Sequence, residues 1–302
     1  LFKKKITTIS FEGSEIRFLS LSGEKVTAWK TAAVAEDAMS QGLIHKPKVI
    51  GTIIQTTLKE LKASRRNVIS AVTGSRSVHR IMRIPSIPEK LLEETIRRKA
   101  RQEFAIPIED TDLFWQIISR GEDHITLYVL AVPKNLIDQV VVSLQEAKIK
   151  PRTMDIKPLA LTRISNQGTA FIVNMEDYAM GVTVLVNYVP MLVRTIPLES
   201  GDLTGEAKTD LLSQELARTV KYYNESHKAN RLPESTPVFV SGALFSAGSI
   251  ESRLGEAENL VERLQSRTPF PLKPPATELV LPDKFPLLRY AVNVGLAAKN
   301  IK

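Results

Sequence analysis

The chain has 302 residues, 43% hydrophobic and 25% charged, enough for one large core or two ordinary ones with no excess of charge over an average globular protein. It has no cysteine, which excludes disulfides, thiolate catalysis and cysteine-based zinc sites, and the histidines His45, His79, His124 and His227 lack ligand spacing, so no metal is expected. The net charge of +8 admits nucleic acid, anionic lipid or an acidic partner, but aromatics make up only 6% and do not interleave with the basic residues, so no nucleic-acid partner is expected. The densest basic run, Arg97 to Arg101, shares its helix with Glu93, Glu94 and Glu103 and reads as a solvated face with local ion pairs. No apolar run reaches the length of a membrane span, and Leu1 to Lys5 carries no signal-peptide core, so a cytoplasmic location is expected.

In chain order, Ile6 to Ser10 and Ile16 to Ser20 alternate as strands around the turn Gly13-Ser14, and Val26 to Trp29 is a third strand. Thr31 to Lys48 is irregular, and Val49 to Leu61 is a helix with Ile50, Ile53, Ile54, Leu58 and Leu61 on one face. Asn67 to Val72 and Val78 to Ile84 are strands. Pro88 opens a helix from Glu89 to Phe104, with Leu91, Leu92, Ile96 and Ala100 on its apolar side. Strands at Leu113 to Ser119 and His124 to Val132 precede a helix from Pro133 to about Ala147, a strand ending at Ile156 and a short helix from Pro158 to Ile164. The second half repeats the opening: Ala170 to Val173, then a hairpin of Met180 to Val186 and Val189 to Arg194. A long helix from Ala207 to Asn230, a strand at Pro237 to Val240, a helix from Ile250 to Leu264, a proline-rich tract from Pro269 to Pro286 and a closing helix from Leu287 to Lys299 complete the chain. Two halves, each with a hairpin-rich sheet followed by helices, predict an α/β duplication.

This order resembles the actin-like ATPase superfamily, with its duplicated ribonuclease H-like fold, and more closely the PilM family of type IV pilus assembly proteins. The match rests on Arg83-Ile84-Pro85-Ser86-Ile87-Pro88-Glu89-Lys90-Leu91 with Phe104-Ala105-Ile106-Pro107-Ile108-Glu109, on Val193 to Pro197, on Val240-Ser241-Gly242-Ala243 and on Tyr290 to Ala297. The resemblance implies actin-like domain I over residues 1–84, completed by about 150–168 and 287–302, an inserted 1C subdomain over 85–149, and domain II over 169–286. Such proteins carry Asp-x-Gly phosphate turns. The first turn here has Ser10, Phe11, Glu12, Gly13 and Ser14, the second has Asn174 and Glu176 for Asp and Gly, and Ser241-Gly242 is followed by Ala243 where a second Gly is usual. Serine supplies no carboxylate, and Glu12 sets a negative charge near a phosphate. Only Leu198 to Glu206 stands between the second hairpin and the long helix, so the part that encloses adenine is reduced.

The expectation is therefore a pseudo-ATPase with no catalytic residue and no cofactor. It would act as a cytoplasmic scaffold of a pilus or type II secretion-like machine, peripheral at the inner face of the membrane. The resemblance implies as partner the N-terminal cytoplasmic tail of a PilN-like inner-membrane protein, along with other machine components and a possible homo-oligomer. Candidate contacts for the tail are Arg83, Pro85, Ile87, Leu91, Leu113, Trp115 and Ile117, each of which could instead anchor its own helix or sheet. The alternative is an ATP-binding, possibly self-assembling protein with magnesium, in which backbone N–H groups hold phosphates and Lys5, Arg17 or Lys221 restores charge balance. Asp177 reads as a solvated loop acid and Asp155 as a turn or cap residue. A sugar-kinase reading lacks a catalytic Asp, and the terminal Ala297 to Lys302 is too short and small-sided for a membrane-attached filament.

Overall fold

A computed structural model describes residues 4–198, 205–246 and 256–299. Strands β1 (Lys5–Glu12), β2 (Glu15–Ser22) and β3 (Lys25–Ala33) form an antiparallel meander. The short pair β4 (Met39–Ser40) and β5 (Leu43–Ile44) occupies the stretch expected to be irregular and leads into helix α1 (Pro47–Glu60), which returns to β6 (Val68–Val72) beside β1. The chain then leaves this sheet. Strand β7 (Val78–Pro85), a single 3-10 turn at Glu89–Leu91, helix α2 (Leu92–Glu103), and strands β8 (Thr111–Arg120) and β9 (His124–Pro133) build a separate sheet in the order β7-β9-β8. Helix α3 (Lys134–Glu146) comes back to pack on α1, and β10 (Thr153–Ile156) closes the first sheet as β10-β6-β1-β2-β3. A domain division at residue 85 thus falls at the end of an inserted strand, because β7 pairs with β9 and with neither β6 nor β1, while α3 belongs to the first domain.

After α4 (Lys157–Thr162) the pattern recurs. Strands β11 (Ala170–Met175), β12 (Ala179–Val186) and β13 (Val189–Pro197) form the second meander, and helix α5 (Gly205–Ser226) leads to β14 (Val238–Ser241), parallel to β11. Helix α6 (Glu256–Arg267) precedes β15 (Leu272–Lys273), and the sheet reads β13-β12-β11-β14-β15. Strand for strand this is the order of the first sheet. Helix α6 runs to Arg267 where the sequence pattern ended at Leu264, and residues 250–255 of that expected helix, like 199–204 and 300–302, lie outside the described residues. The proline-rich tract contains β15, and Val280 forms an isolated bridge to Lys25, with Val26 N–H bonded to the Val280 carbonyl at 3.0 Å.

Each sheet buries one face under its own helix pair, α1 with α3 and α5 with α6. The facing sides share a third core, in which Ile6, Leu19 and Leu21 of the first sheet and Ile172 and Leu185 of the second pack on α4 and on α7 (Ala291–Ala298). This helix is shorter than expected, starting at Ala291 and not at Leu287, and its backbone crosses α4: a Cβ on Gly295 would lie 2.0 Å from the Ala160 carbonyl oxygen, so only glycine admits the crossing. The tie to the first sheet is Asn293, fully buried, whose side-chain amide donates to the carbonyls of Thr8 at 3.2 Å and Arg17 at 3.0 Å. The duplication places the β1–β2 turn and the β11–β12 turn opposite each other across the junction of the two halves.

Candidate functional site

The first strand of each meander ends in a glutamate, and both glutamates are buried. Glu12 closes β1 at 1% exposure, and Glu176 follows β11 at 2%. A buried carboxylate needs a counter-charge and hydrogen bonds. Glu176 receives both from Arg17, a fully buried residue in the middle of β2: Nη1 donates to Oε1 at 3.0 Å and Nη2 to Oε2 at 2.6 Å, a two-pronged pair across the domains. Arg17 also binds Glu15 through Nε at 2.6 Å and the Arg289 carbonyl at 2.6 Å, and Arg289 in turn holds Glu15 at 2.5 Å. Asn174 donates to Glu176 Oε1 at 3.2 Å, and the Ala243 N–H donates to Oε2 at 3.3 Å. Glu12 is paired with Lys157 at the start of α4 and accepts from the Tyr178 hydroxyl at 3.1 Å.

Burial pushes Glu176 up, but Arg17 and then Lys157 outweigh it and hold the carboxyl below its ordinary range. For Glu12 burial wins over Lys157, with Glu176 adding to it, and the pKa is raised. Burial lowers the pKa of both cations, yet Glu176 and Glu12 raise that of Arg17 and Glu12 raises that of Lys157. The cleft thus pairs its two buried acids with two bases, while Glu12 Oε1 and Asn174 Oδ1 stay without a hydrogen-bond partner among the described residues.

The residues expected at the nucleotide turns come together here, but in structural roles. Ser10 points its hydroxyl at Asn293 Oδ1, 3.0 Å away, and not into the cleft. Gly13 has φ +48°, and the Tyr178 ring covers it so closely that a Cβ would sit 3.0 Å from the ring. Ser14 is exposed, and its carbonyl accepts from Val34 N–H at 2.8 Å. The Ser241 hydroxyl donates to the Val173 carbonyl at 3.1 Å. Gly242, at φ +112°, passes so near β11 that a Cβ would be 2.2 Å from the Met175 carbonyl oxygen. Asp177 is exposed, whereas Asp155, just before α4, accepts from the Ile156 N–H at 2.9 Å and holds Arg163 at 2.8 Å. Beyond Lys157 and Tyr178 a cavity of about 330 Å³ remains, lined by Thr73, Arg76, Asn174 and Thr195 among others. Among the described residues no cluster of metal-ligating side chains occurs.

Sequence reasoning named Arg17 only as one of three equivalent cations and missed Lys157 and Tyr178. One signal was available for Arg17: a guanidinium inside the apolar run of β2 demands a buried partner.

The second candidate surface is the inserted sheet. Helix α2 covers one face, burying Leu92, Ile96 and Ala100 with Met82, Ile84 and Leu127 of the strands. Three expected contacts turn into that core: Leu113 is buried, and Trp115 and Ile117 are partly buried against it, as is Ile87. The parity of β8 then points Phe114 the other way, exposed at 50%, and Ile118, exposed at 39%, is the unpaired residue of a bulge between Ile117 and Ser119. Phe114 pairs with Leu130, and Leu130 packs into the core of the first domain, so this face of β8 overhangs that junction. Leu91, expected on the buried side of its helix, lies in the 3-10 turn and is exposed at 44%. Arg83 and Pro85 are exposed as well, with Arg83 bonded to the His124 ring at 2.7 Å. Strand β8 pairs only with β9 among the described residues, so its outer backbone edge is open.

Comparison with known proteins agrees with this architecture. Among curated proteins no sequence matches the chain. Among solved structures, the chain is similar to a PilM-PilN type IV pilus biogenesis complex, at 18% identity, TM-score 0.75 and 99% coverage of both chains. It is also similar to the cytoplasmic domain of EpsL, an inner-membrane component of the type II secretion system of Vibrio cholerae, at 14% identity, TM-score 0.53 and coverage of 97% and 93%. The ethanolamine utilization protein EutJ from Carboxydothermus hydrogenoformans matches at 12% identity, TM-score 0.52 and coverage of 98% and 90%. These likenesses establish the actin-like fold. The model of the type IV pilus assembly protein PilM matches residues 9–193, more than half of the chain, and with the fold agreeing from end to end, this chain belongs to the PilM family.

Proposed function

We infer that this protein is a non-catalytic scaffold of a pilus or secretion-like assembly machine, held at the inner face of the cell membrane by the N-terminal cytoplasmic tail of a PilN-like membrane protein. The observation that carries this reading is the Arg17–Glu176 pair. In an actin-like ATPase the opposed turns leave room for phosphates between them. Here a guanidinium and a carboxylate from the two domains already meet there at 2.6 Å, a second acid, Glu12, stands on the facing turn, and Tyr178 lies over Gly13. A nucleoside triphosphate would have to displace the buried pair and then face two carboxylates. The residues present do not fit it. Pairing both acids internally gives the two domains a fixed relation, which suits a platform.

Membership of the PilM family and the likeness to a PilM-PilN complex support a PilN-like partner. The open edge of β8 together with exposed Phe114, Ile118 and Leu91 supports an extended tail added as a strand, its side chains alternating onto the apolar face. The test is fluorescence anisotropy of a labelled peptide of such a tail titrated with the purified protein. The expected result is saturable binding that weakens at least about tenfold in Phe114→Asp and Ile118→Asp, since each forfeits an apolar anchor worth about 1.5–3 kcal/mol. Unchanged affinity in both variants would move the tail elsewhere.

A further inference from the structure

The net charge of +8 is not spread over the molecule. Residues 1–77 and 134–168, which build the first domain up to α4 and the loop after it, hold 19 of the 41 basic residues and 9 of the 33 acidic ones, whereas the rest is nearly balanced with 22 and 24. The excess gathers at one end of the first sheet. Strands β1, β6 and β10 are adjacent and parallel, and each is entered through two exposed cations: Lys4 and Lys5, Arg65 and Arg66, Lys150 and Arg152. Backbone bonds hold these entries side by side. The Arg152 N–H donates to the Val68 carbonyl at 2.8 Å, and the Asn67 side chain donates to the Lys5 carbonyl at 3.1 Å. With strands about 5 Å apart, six cations fall within one narrow band. The connections 61–67 and 147–152 contain no acid at all. Of the acids nearby, Glu60 is already bound to Lys30 at 2.5 Å, Glu24 and Glu146 are exposed at the margins, and none of the six cations forms an ion pair among the described residues.

Such a band repels itself and costs stability in isolation. The cleft neutralises its buried cations with nearby carboxylates, and this edge does not. We propose that this end of the first domain rests directly on an anionic lipid surface, independently of any protein partner. The composition favours lipid over a protein or nucleic acid. Protein interfaces centre on aromatic, Met and Arg residues and are poor in Lys, whereas three of these six are Lys and no aromatic residue stands in the connections. The absence of aromatics also removes the stacking that holds single-stranded nucleic acid. Exposed large apolar residues lie elsewhere, apart from Val280 next to Lys25 at the margin. Point charges on one edge of a sheet match a diffuse, planar, negative headgroup layer. The strand direction sets this edge at the opposite end of β1 from Glu12, so lipid contact leaves the cleft and the inserted sheet free.

The test is co-sedimentation of the purified full chain, without any partner, with vesicles of phosphatidylcholine alone or with about a third phosphatidylglycerol, at low and high salt. The expected result is binding to the anionic vesicles only, lost at high salt. Reversing four charges (Arg65→Glu, Arg66→Glu, Lys150→Glu and Arg152→Glu) lowers partition by roughly a hundredfold or more. A control with Lys221, Lys228, Arg231 and Lys273 of the second domain reversed carries the same net charge and keeps most of the binding. All eight positions are exposed, and matching melting curves establish that both variants fold. Absence of sedimentation with anionic vesicles, equal loss in the control, or tight binding to polyglutamate or DNA with none to vesicles would overturn the proposal. Because no tail peptide is present, each of these outcomes leaves the scaffold reading untouched.

Discussion

The cleft between the domains and the edge of the inserted sheet are opposite solutions to the same problem. In the cleft the buried charges have partners inside the protein: Glu176 has Arg17, Glu12 has Lys157, and even Ser10 is taken up by Asn293. At β8 the backbone edge is unpaired and Phe114 and Ile118 face solvent. A ligand site must leave valences open, and among the described residues the backbone edge of β8 is open while the two buried acids of the cleft are paired.

The largest test of that contrast is Arg17→Ala. It strands Glu176 in a site that excludes water, and a loss of about 3–5 kcal/mol is expected in urea unfolding. Replacing both partners, Arg17→Met with Glu176→Leu, should recover most of it, because the cost lies in the uncompensated charge. If the double variant is as unstable as the single one, the pair does more than neutralise itself. Next in size is the loss of tail binding in Phe114→Asp, tenfold or more and without a matching fall in stability. That surface change is expected to stay within about 0.5 kcal/mol.

The smallest expected effect is in pH. Because the folded state holds Glu176 below the ordinary glutamate value of 4.5, its pairing contributes stability above that pH and loses it as pH falls through the lowered value. Glu12, raised above 4.5, works in the opposite sense: its burial favours folding at low pH and that contribution is lost as pH rises past 4.5. Thermal midpoints of wild type and Glu176→Gln should therefore converge as pH falls below 4.5, while Glu12→Gln should gain on wild type as pH rises above 4.5. Parallel curves for Glu176→Gln would mean that Arg17 does not stabilise the ionised carboxylate.

What was legible in the sequence was local. Alternation of Ile6, Thr8 and Ser10 against Ile16, Phe18 and Ser20, repeated at Ala170 to Val173 and Met180 to Val186, revealed two meanders, because period two and a tight turn are written within about twenty residues. The two-residue strands β4, β5 and β15 carry too little pattern to be read. The cleft was legible as a set of wrong residues at phosphate turns, but not as a network. Arg17 and Glu176 are 159 residues apart, and Lys157 and Glu12 are 145 apart, so no local spacing announces them. On β8 the alternation separates Leu113, Trp115 and Ile117 from Phe114, but which set is covered depends on where α2 lands, and a bulge at Ile118 is not written in the pattern. Leu91 went the other way, since a 3-10 turn rotates it off the face a continuous helix would give it.

The measurement that bears most directly on the central claim is thermal unfolding of the purified protein with millimolar magnesium and ATP, with ADP, or with neither. Any ligand that binds the native state raises its midpoint by mass action. A cleft closed by Arg17 and Glu176 predicts coincident curves in all three conditions, and predicts that Arg17→Ala does not create a response. A magnesium-dependent rise in the midpoint of the wild type would contradict the account, because the paired charges would then be giving way to phosphate.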